Sequence, residues 1–425
     1  MYSGDLSLLP QCFEREMDRL IYFYNKYYKK NEFNSICVAV SGGADSVTLL
    51  LLLEKWCRQN NWKLYCVTVD HQLREESIEE ALYVKSLCDK LNVPHTILKW
   101  EHEQIENHGH LESAAREARY NLLKHFCKEK NVNFIATGHN WNDQLETYEL
   151  RKDFGSGDIG LAGMSQVRSI DSDLVILRPL LPFFKKDFEK FLTLNHVEWK
   201  TDFMNFDENF QRVKARNRIN QYSEEKISEI SYEIEKYGKA RYQIEKFAVF
   251  FIKNYCKFSQ FGFCEINMDE FLKMSEDVQA EILRKIIWDV GGKFYPTQIS
   301  INSVSDIINR KMNTVGRCLI KVKKKTIFIF RENRNIERII LKNEQHDVIW
   351  DNRFRIKIAE NCFNGVIFSA NEEYATEIPL LALHGFPCLY ENHKVKYSLD
   401  LWTKHMVSVI HKPELWDVYC GVDCG

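Results

Sequence analysis

Three clusters of residues in this chain have the types and spacing to do chemistry. The first is Ser41-Gly42-Gly43-Ala44-Asp45-Ser46, set between the apolar run Ile36–Val40 and the leucine-rich stretch Val47–Trp56. Gly42 and Gly43 allow positive φ and close backbone approach, and Ser46 can cap a following helix. First-turn amides at such a point offer an anion the positive end of a helix dipole. No lysine follows the glycines, unlike the loop that grips β- and γ-phosphates, so this one suits a leaving pyrophosphate. Asp45 beside that site would repel a phosphate unless Mg²⁺ lay between them; its plainer role is to stabilise the helix dipole.

The second cluster collects nitrogen and guanidinium groups. Asp70, His71 and Arg74 lie in VDHQLREES, where a base and ribose would be expected, although a loop with a helix cap at Ser77 explains the same residues. Arg116, Arg119 and Tyr120 share one helix face and could clamp a phosphate or carboxylate, or pair with Glu112 and Glu117. Arg178, and Arg212, Lys214, Arg216 and Arg218 within seven residues, add to the basic set, the last four too dense for a merely solvated face. The third cluster is ATGHNWNDQLETYEL. Gly138 and His139 close an apolar run, and Asp143 and Glu146 are three apart on one helix turn. Such a pair is costly without a cation, which a metal or an ammonium group would supply. The exposed-helix alternative carries less weight, and Gly155-Ser156-Gly157 then reads as a flexible polar loop.

Elements able to position these residues alternate along the chain. Apolar runs at 36–40, 64–69, 95–100, 134–137 and 175–177 predict strands, with helices at about 47–56, 77–91, 112–130 and from about 142. This pattern implies right-handed βαβ crossovers and a parallel sheet covered on both faces. Ligands bind at the carboxyl ends of such strands, where Ser41, Asp70-His71, Trp100 and Gly138-His139 fall. From about 217 to 258 the chain reads as charged helix. Short strands follow around 307–332, and short strands with aromatics fill the last eighty residues.

Hydrophobic content of 45%, charged content of 28% and a net charge of −2 are those of an ordinary soluble protein. They exclude a globally basic surface, so any nucleic-acid contact must be local. One candidate is Arg310–Lys342, with eleven Lys or Arg and two Glu; a lysine-guarded sheet edge is the plainer reading. The thirteen cysteines are scattered, odd in number and without a C-x-x-C; Cys420 and Cys424 are the one close pair. Reduced, mostly buried thiols are expected. No apolar run is long enough to span a bilayer and the first residues show no signal-like core, so a cytoplasmic protein without membrane contact is expected.

SGGADS resembles the pyrophosphate loop of N-type ATP pyrophosphatases. With VDHQLREES, AAREARY, GHNWNDQLET, GSGDIGLAGM, RPLL and the arginine-rich segment, the order and spacing over about residues 35–218 resemble the bacterial tRNA(Ile)-lysidine synthetase family. A weaker match continues to TVGRCLI at 314–320. The resemblance implies adenylylation by ATP of the carbon-2 oxygen of the wobble cytidine in a CAU-anticodon tRNA(Ile). The amino group of free L-lysine then displaces AMP to give lysidine. It implies ATP contacts at Ser41–Ser46, Asp70, His71, Gly138 and His139; Mg²⁺ on Asp45; and lysine on Asp143 and Glu146. Arg116, Arg119, Arg178, Arg212 and Arg216 would contact tRNA or the intermediate, with Asp45, Asp143, Glu146 and Arg212 catalytic.

The expected architecture is α/β: a helical extension over 1–34 and a Rossmann-like PP-loop catalytic domain over 35–216. A helical and basic tRNA-contacting domain over 217–340 and a small α+β tRNA-binding domain over 341–425 would follow. A homodimer is left open. Asn140, Asn142, Phe154, Phe203 and Met204 depart from the family pattern. Two rival readings are a PP-loop tRNA thiolase and a tRNA-binding protein with a decayed ATPase site.

Overall fold

The computed structural model describes residues 8–28, 34–71, 76–100, 108–171, 174–200, 211–292, 304, 306, 309, 312–336, 338–341, 347–357, 365–369, 380–383, 385–391, 394–397 and 408–409. Arg74, Phe203, Met204, Cys420 and Cys424 lie outside them. The chain divides into two compact units, the first ending at Tyr242 and the second beginning at Gln243.

The first unit opens with α1 (Leu9–Tyr28) and then alternates: β1 (Ser35–Ala39), α2 (Ala44–Asn60), β2 (Lys63–Asp70), α3 (Glu76–Leu91), β3 (His95–Lys99), α4 (His108–Lys130), β4 (Phe134–Thr137), α5 (Trp141–Asp153) and the short α6 (Asp158–Leu161). There follow β5 (Val167–Asp171), β6 (Leu174–Leu177), α7 (Lys185–Leu194), α8 (Gln211–Ile219) and α9 (Glu224–Tyr255), the last running across the division between units.

The strands form one six-stranded sheet in the order β3-β2-β1-β4-β6-β5. All neighbours are parallel except β5, which pairs antiparallel to β6. Burial on both faces explains the continuous apolar strand runs. Ile36 and Val38 face a core shared with Leu49, Leu50 and Leu53 of α2 and Phe13 of α1. Cys37, Val67 and Ile135 face Leu123 and Phe126 of α4. Strand order reverses beside β1, whose neighbours are β2 and β4. The loops leaving β1 and β4 therefore flank the crevice where such sheets bind ligands.

The second unit contains β7 (Cys256–Phe258), β8 (Cys264–Asn267), α10 (Met268–Phe271), α11 (Glu276–Val290), β9 (Met312–Val315), β10 (Cys318–Lys323) and β11 (Thr326–Arg331). Its first sheet runs β7-β8-β11-β10-β9, antiparallel throughout. Ile266, Ile320, Ile327 and Ile329 pack there on Phe251 and Ile252 of α9 and on Ile282, Ile286 and Ile287 of α11. Farther along come β12 (Ile339–Leu341), β13 (Asp347–Trp350), β14 (Phe354–Lys357), β15 (Gly365–Ser369), α12 (Leu380–Leu383), β16 (Pro387–Glu391), β17 (Lys394–Tyr397) and β18 (Ser408–Val409). They form a four-stranded sheet, β12-β15-β16-β17, and a three-stranded one, β13-β14-β18. The expected α/β architecture with a smaller mixed C-terminal part is what the chain adopts.

Candidate active site

Gly42, at φ +91°, turns the chain out of β1, and Gly43, in extended backbone, is the N-cap of α2. Ser46 is therefore not the cap expected from the sequence. It lies within the first turn, where its hydroxyl donates to the Gly43 carbonyl at 3.0 Å and accepts from the Ser41 amide at 3.1 Å. Ser46 thus fixes the loop's shape, and the amides that open α2, without intrahelical acceptors, remain suited to an anion. The loop is also pressed from the side. A Cβ at Gly138 would lie 3.1 Å from the carbonyl carbon of Asp45 and from the amide nitrogen of Ser46. Only glycine lets the end of β4 approach α2 this closely.

Asp45 is half-buried, and its Oδ1 is enclosed without a hydrogen-bond partner among the described residues. Burial pushes its carboxyl up to about 7; the Lys185 ammonium opposes that rise, while the charges of Asp143 and Glu189 add to it. Asp143 is pushed up to about 6, by burial first and by Glu146 second, against the Asn140 amide that donates to its Oδ2 at 2.9 Å. Glu146 is buried, with Oε1 accepting from Arg216 Nε at 2.7 Å and Oε2 left without a partner among the described residues. The cation demanded by two carboxylates on one turn is thus supplied in part by the chain itself. Among the described residues no group of three or more His, Cys, Asp or Glu is placed to hold a metal. Two carboxylates still suit Mg²⁺, which takes most of its ligands from water and phosphate.

Arginines also gather around Gly138-His139, and one of them, Arg212, acts on Asp143 as well. His139 is held well below the usual imidazole range, by burial first and then by the charges of Arg178, Arg116, Arg212 and Arg119. The imidazole is neutral, with Nδ1 2.9 Å from Thr137 Oγ1. Arg178 is fully buried, and burial lowers it to about 10; Nη1 donates to the Ser165 carbonyl at 2.6 Å, and Tyr120 also bonds its guanidinium. Arg116 packs over the Tyr120 ring at 5.3 Å. Arg119 contacts His71 Nε2 at 3.1 Å, and His71 meets Trp100 edge-on. Several guanidiniums around one neutral ring form a site for an anion.

Asp70 is buried and accepts from the Ser77 hydroxyl at 2.7 Å, so it also serves the start of α3. Arg216 and Arg218 are tied to acids of α5, the latter to Asp153 at 2.6 Å and Glu149 at 3.7 Å. The density of this basic segment is therefore partly structural. Two departures from the family pattern also have local roles. Asn140 caps α5, its side chain accepting from the amides of Asn142 and Asp143, and Asn142 Oδ1 accepts from the Lys185 amide at 3.0 Å. Phe154 is exposed and ends α5. Sequence reasoning missed Lys185 and Glu189, which α7 brings to Asp45; only their place after RPLL hinted at them.

A family model described as a PP-loop domain matches residues 17–223. The tRNA(Ile)-lysidine synthase of Wolbachia pipientis wMel is 33% identical over 344 residues, covering 77% of this chain and 78% of its own. That of Rickettsia prowazekii (strain Madrid E) is 31% identical over 77% of this chain and 79% of its own. The Rickettsia akari (strain Hartford) protein is 28% identical and extends the match to 91% of this chain and 92% of its own. The loop at Ser41–Ser46, the carboxylates of α5 and the arginines around His139 all fall inside the matched region, and the chain belongs to the tRNA(Ile)-lysidine synthase family.

Proposed function

We propose that this chain joins L-lysine to carbon-2 of the wobble cytidine in a CAU-anticodon tRNA(Ile), using ATP and releasing AMP and pyrophosphate. The observation that carries the reading is the set of charges gathered around Gly138-His139. Asp143 acts on Asp45 and Glu146 on Asp143, while Arg116, Arg119, Arg178 and Arg212 act on His139, with Arg212 acting on Asp143 as well. The carboxylates suit cations, and the arginines suit the phosphoryl group being transferred.

In this account the amides opening α2 hold the ATP phosphates, and Asp70, His71, Gly138 and His139 border the nucleotide. Asp45 would hold Mg²⁺, which would neutralise the triphosphate and the departing pyrophosphate. The carbon-2 oxygen of cytidine attacks the α-phosphorus, and the bond to pyrophosphate breaks. The arginines stabilise charge on the transferred phosphoryl group. Lysine's neutral amine then attacks carbon-2, the carbon–oxygen bond breaks, AMP leaves and the amine loses a proton. Asp143 and the open Oε2 of Glu146 receive the α-ammonium, and Arg212 receives the intermediate or the α-carboxylate. The segments after about residue 217 bind tRNA, with the lysine-rich β10–β11 turn as one contact. We place the enzyme in the cytoplasm; among the described residues no helix is long and apolar enough to cross a membrane.

A thiolase would need a reactive sulfur. A hydrogen bond from a neighbouring thiol, reinforced by burial, pushes Cys37 and Cys66 well up, and burial pushes Cys57 and Cys318 to about 12. Such thiols are poor nucleophiles. The lysine assignment is tested by Asp143→Asn, titrating lysine and ATP separately. Losing one partner of a desolvated charge pair costs about 2–5 kcal/mol, roughly 30- to 5000-fold. The lysine requirement should rise far more than the ATP requirement, and an equal or ATP-dominated defect would move Asp143 to the metal instead.

A further inference from the structure

The loop at Ser41–Ser46 offers amides to phosphate but carries no lysine of its own. Another element brings one. β1, β4 and β6 lie side by side in the sheet, and α2, α5 and α7 start after them. Lys185 is the first residue of α7. Two bonds fix this turn against the start of α5. The Lys185 amide donates to Asn142 Oδ1 at 3.0 Å, and the Trp141 amide donates to the Phe183 carbonyl at 2.8 Å. Phe188 and Leu192 hold α7 to α2, buried in one core with Leu49 and Leu53. Elements of the candidate site therefore set the position of Lys185 from two sides.

The Lys185 residue is half-buried, and among the described residues its ammonium makes no hydrogen bond or ion pair. Glu189 stands one turn on, at a spacing where lysine and glutamate ordinarily pair, and the two do not. The charge of Lys185 falls instead on Asp45, more strongly than that of Asp143, Glu189 or Arg216. Asp45 is a weak counterion, because burial pushes its carboxyl up to about 7. A half-buried ammonium without a firm partner is unfavourable, and an anion arriving at the loop offsets that cost. The charges acting most on His139 are arginines, and the one acting most on Asp45 is this lysine.

We propose that Lys185 is a catalytic residue that binds the pyrophosphate leaving group of ATP, supplying from α7 the cation that the loop lacks. This rests on the function proposed above and adds a residue to it. As the cytidine oxygen bonds to the α-phosphorus, the bond to the bridging oxygen breaks and its electron pair stays on pyrophosphate. Lys185 remains protonated and donates hydrogen bonds to that growing charge. The arginines stay with the phosphoryl group that passes to the tRNA.

The test uses the full chain with Mg²⁺ in the buffer and the variants Lys185→Gln and Lys185→Arg. Binding of inorganic pyrophosphate and of AMP is measured separately. Lys185→Gln should weaken pyrophosphate about tenfold or more, leave AMP within twofold, and slow single-turnover pyrophosphate release at least about tenfold. The KM values for lysine and tRNA should stay within twofold. Lys185→Arg keeps the charge and should recover part of the pyrophosphate affinity. If Lys185→Gln fails to fold, acetylation of the parent read by mass spectrometry decides. Pyrophosphate should shield Lys185 at least about fivefold and AMP should not, with the exposed Lys186 as internal control. Three results overturn the proposal: pyrophosphate affinity within twofold of the parent's in Lys185→Gln, AMP weakened as much as pyrophosphate, or Lys185 acetylated equally with and without pyrophosphate. A parent chain that forms ADP rather than AMP contradicts the proposed function itself, a result separable from an unaltered Lys185→Gln.

Discussion

Arg216 and Glu146, 70 residues apart in the chain, are joined by a hydrogen-bonded ion pair of 2.7 Å that ties α8 to α5 beside the candidate active site. The Glu146 side chain is 6% exposed and that of Arg216 35%. The pair lies between a surface bridge and a buried one, so its loss should cost about 1–3 kcal/mol. Arg216→Ala leaves Glu146 without its cation, which should disturb the lysine pocket. We expect lower thermal stability together with a lysine KM raised more than the ATP KM. Arg216→Lys should recover stability in part, because a single ammonium can replace one guanidinium bond. Equal stability of the alanine variant and the parent would contradict this role.

Gly138 is the second point of sensitivity. The atoms that an added Cβ would meet are backbone atoms of Asp45 and Ser46, at 3.1–3.2 Å, so they cannot rotate away. Gly138→Ala should push the opening of α2 by a few tenths of an ångström and cost about 1–3 kcal/mol. ATP binding should weaken about tenfold or more while tRNA binding persists, since misplacement of this size damages a positioned site. Isothermal titration with ATP and with tRNA separates the two effects, and unchanged ATP affinity would exclude the close packing as a determinant of the loop.

Much of this site is legible in the sequence because its signals are local. The glycines and serines of the loop are contiguous, and strands buried on both faces read as continuous apolar runs. β5 was not expected, because it is a short edge strand whose apolar signal is largely Val167. The cap of α2 lies three residues before the expected Ser46: the start of the helix depends on the extended backbone of Gly43, which residue type alone does not dictate. The Arg216–Glu146 link has no local signature, so the acid pair was assigned to an external cation. The same holds for α9. Trp141 Nε1 donates to Ser231 Oγ at 3.1 Å, and Tyr148 bonds to Glu233. A fragment ending near Asn220 would therefore strip α5 of its packing and report on folding as well as on tRNA binding.

The carboxylates predict an unusual pH dependence for the ligand-free protein. Asp45 at about 7 and Asp143 at about 6 lie above their ordinary value of 3.8. Between about pH 4 and those values the folded state holds protons that the unfolded chain releases, so stability falls as pH rises through this window. Asp45→Asn removes the larger share and should leave the variant about 1–2 kcal/mol more stable than the parent near pH 8, after allowing for solvent at this half-buried group. Urea unfolding with chelator at about pH 5 and about pH 8 gives the comparison. A parent and variant with the same pH slope would refute the raised Asp45.

The central claim is that one site cleaves ATP at the α-phosphorus and delivers lysine to a tRNA base. The most direct measurement incubates the purified chain with α-labelled ATP, labelled lysine and CAU-anticodon tRNA(Ile), and follows AMP, pyrophosphate and tRNA-bound lysine together. We predict all three in equal amounts, dependent on every substrate, and loss of all three by more than tenfold in Asp45→Ala with the fold retained. Release of ADP and phosphate, pyrophosphate formed without lysine reaching the tRNA at any concentration, or an Asp45→Ala enzyme within tenfold of the parent would contradict the account.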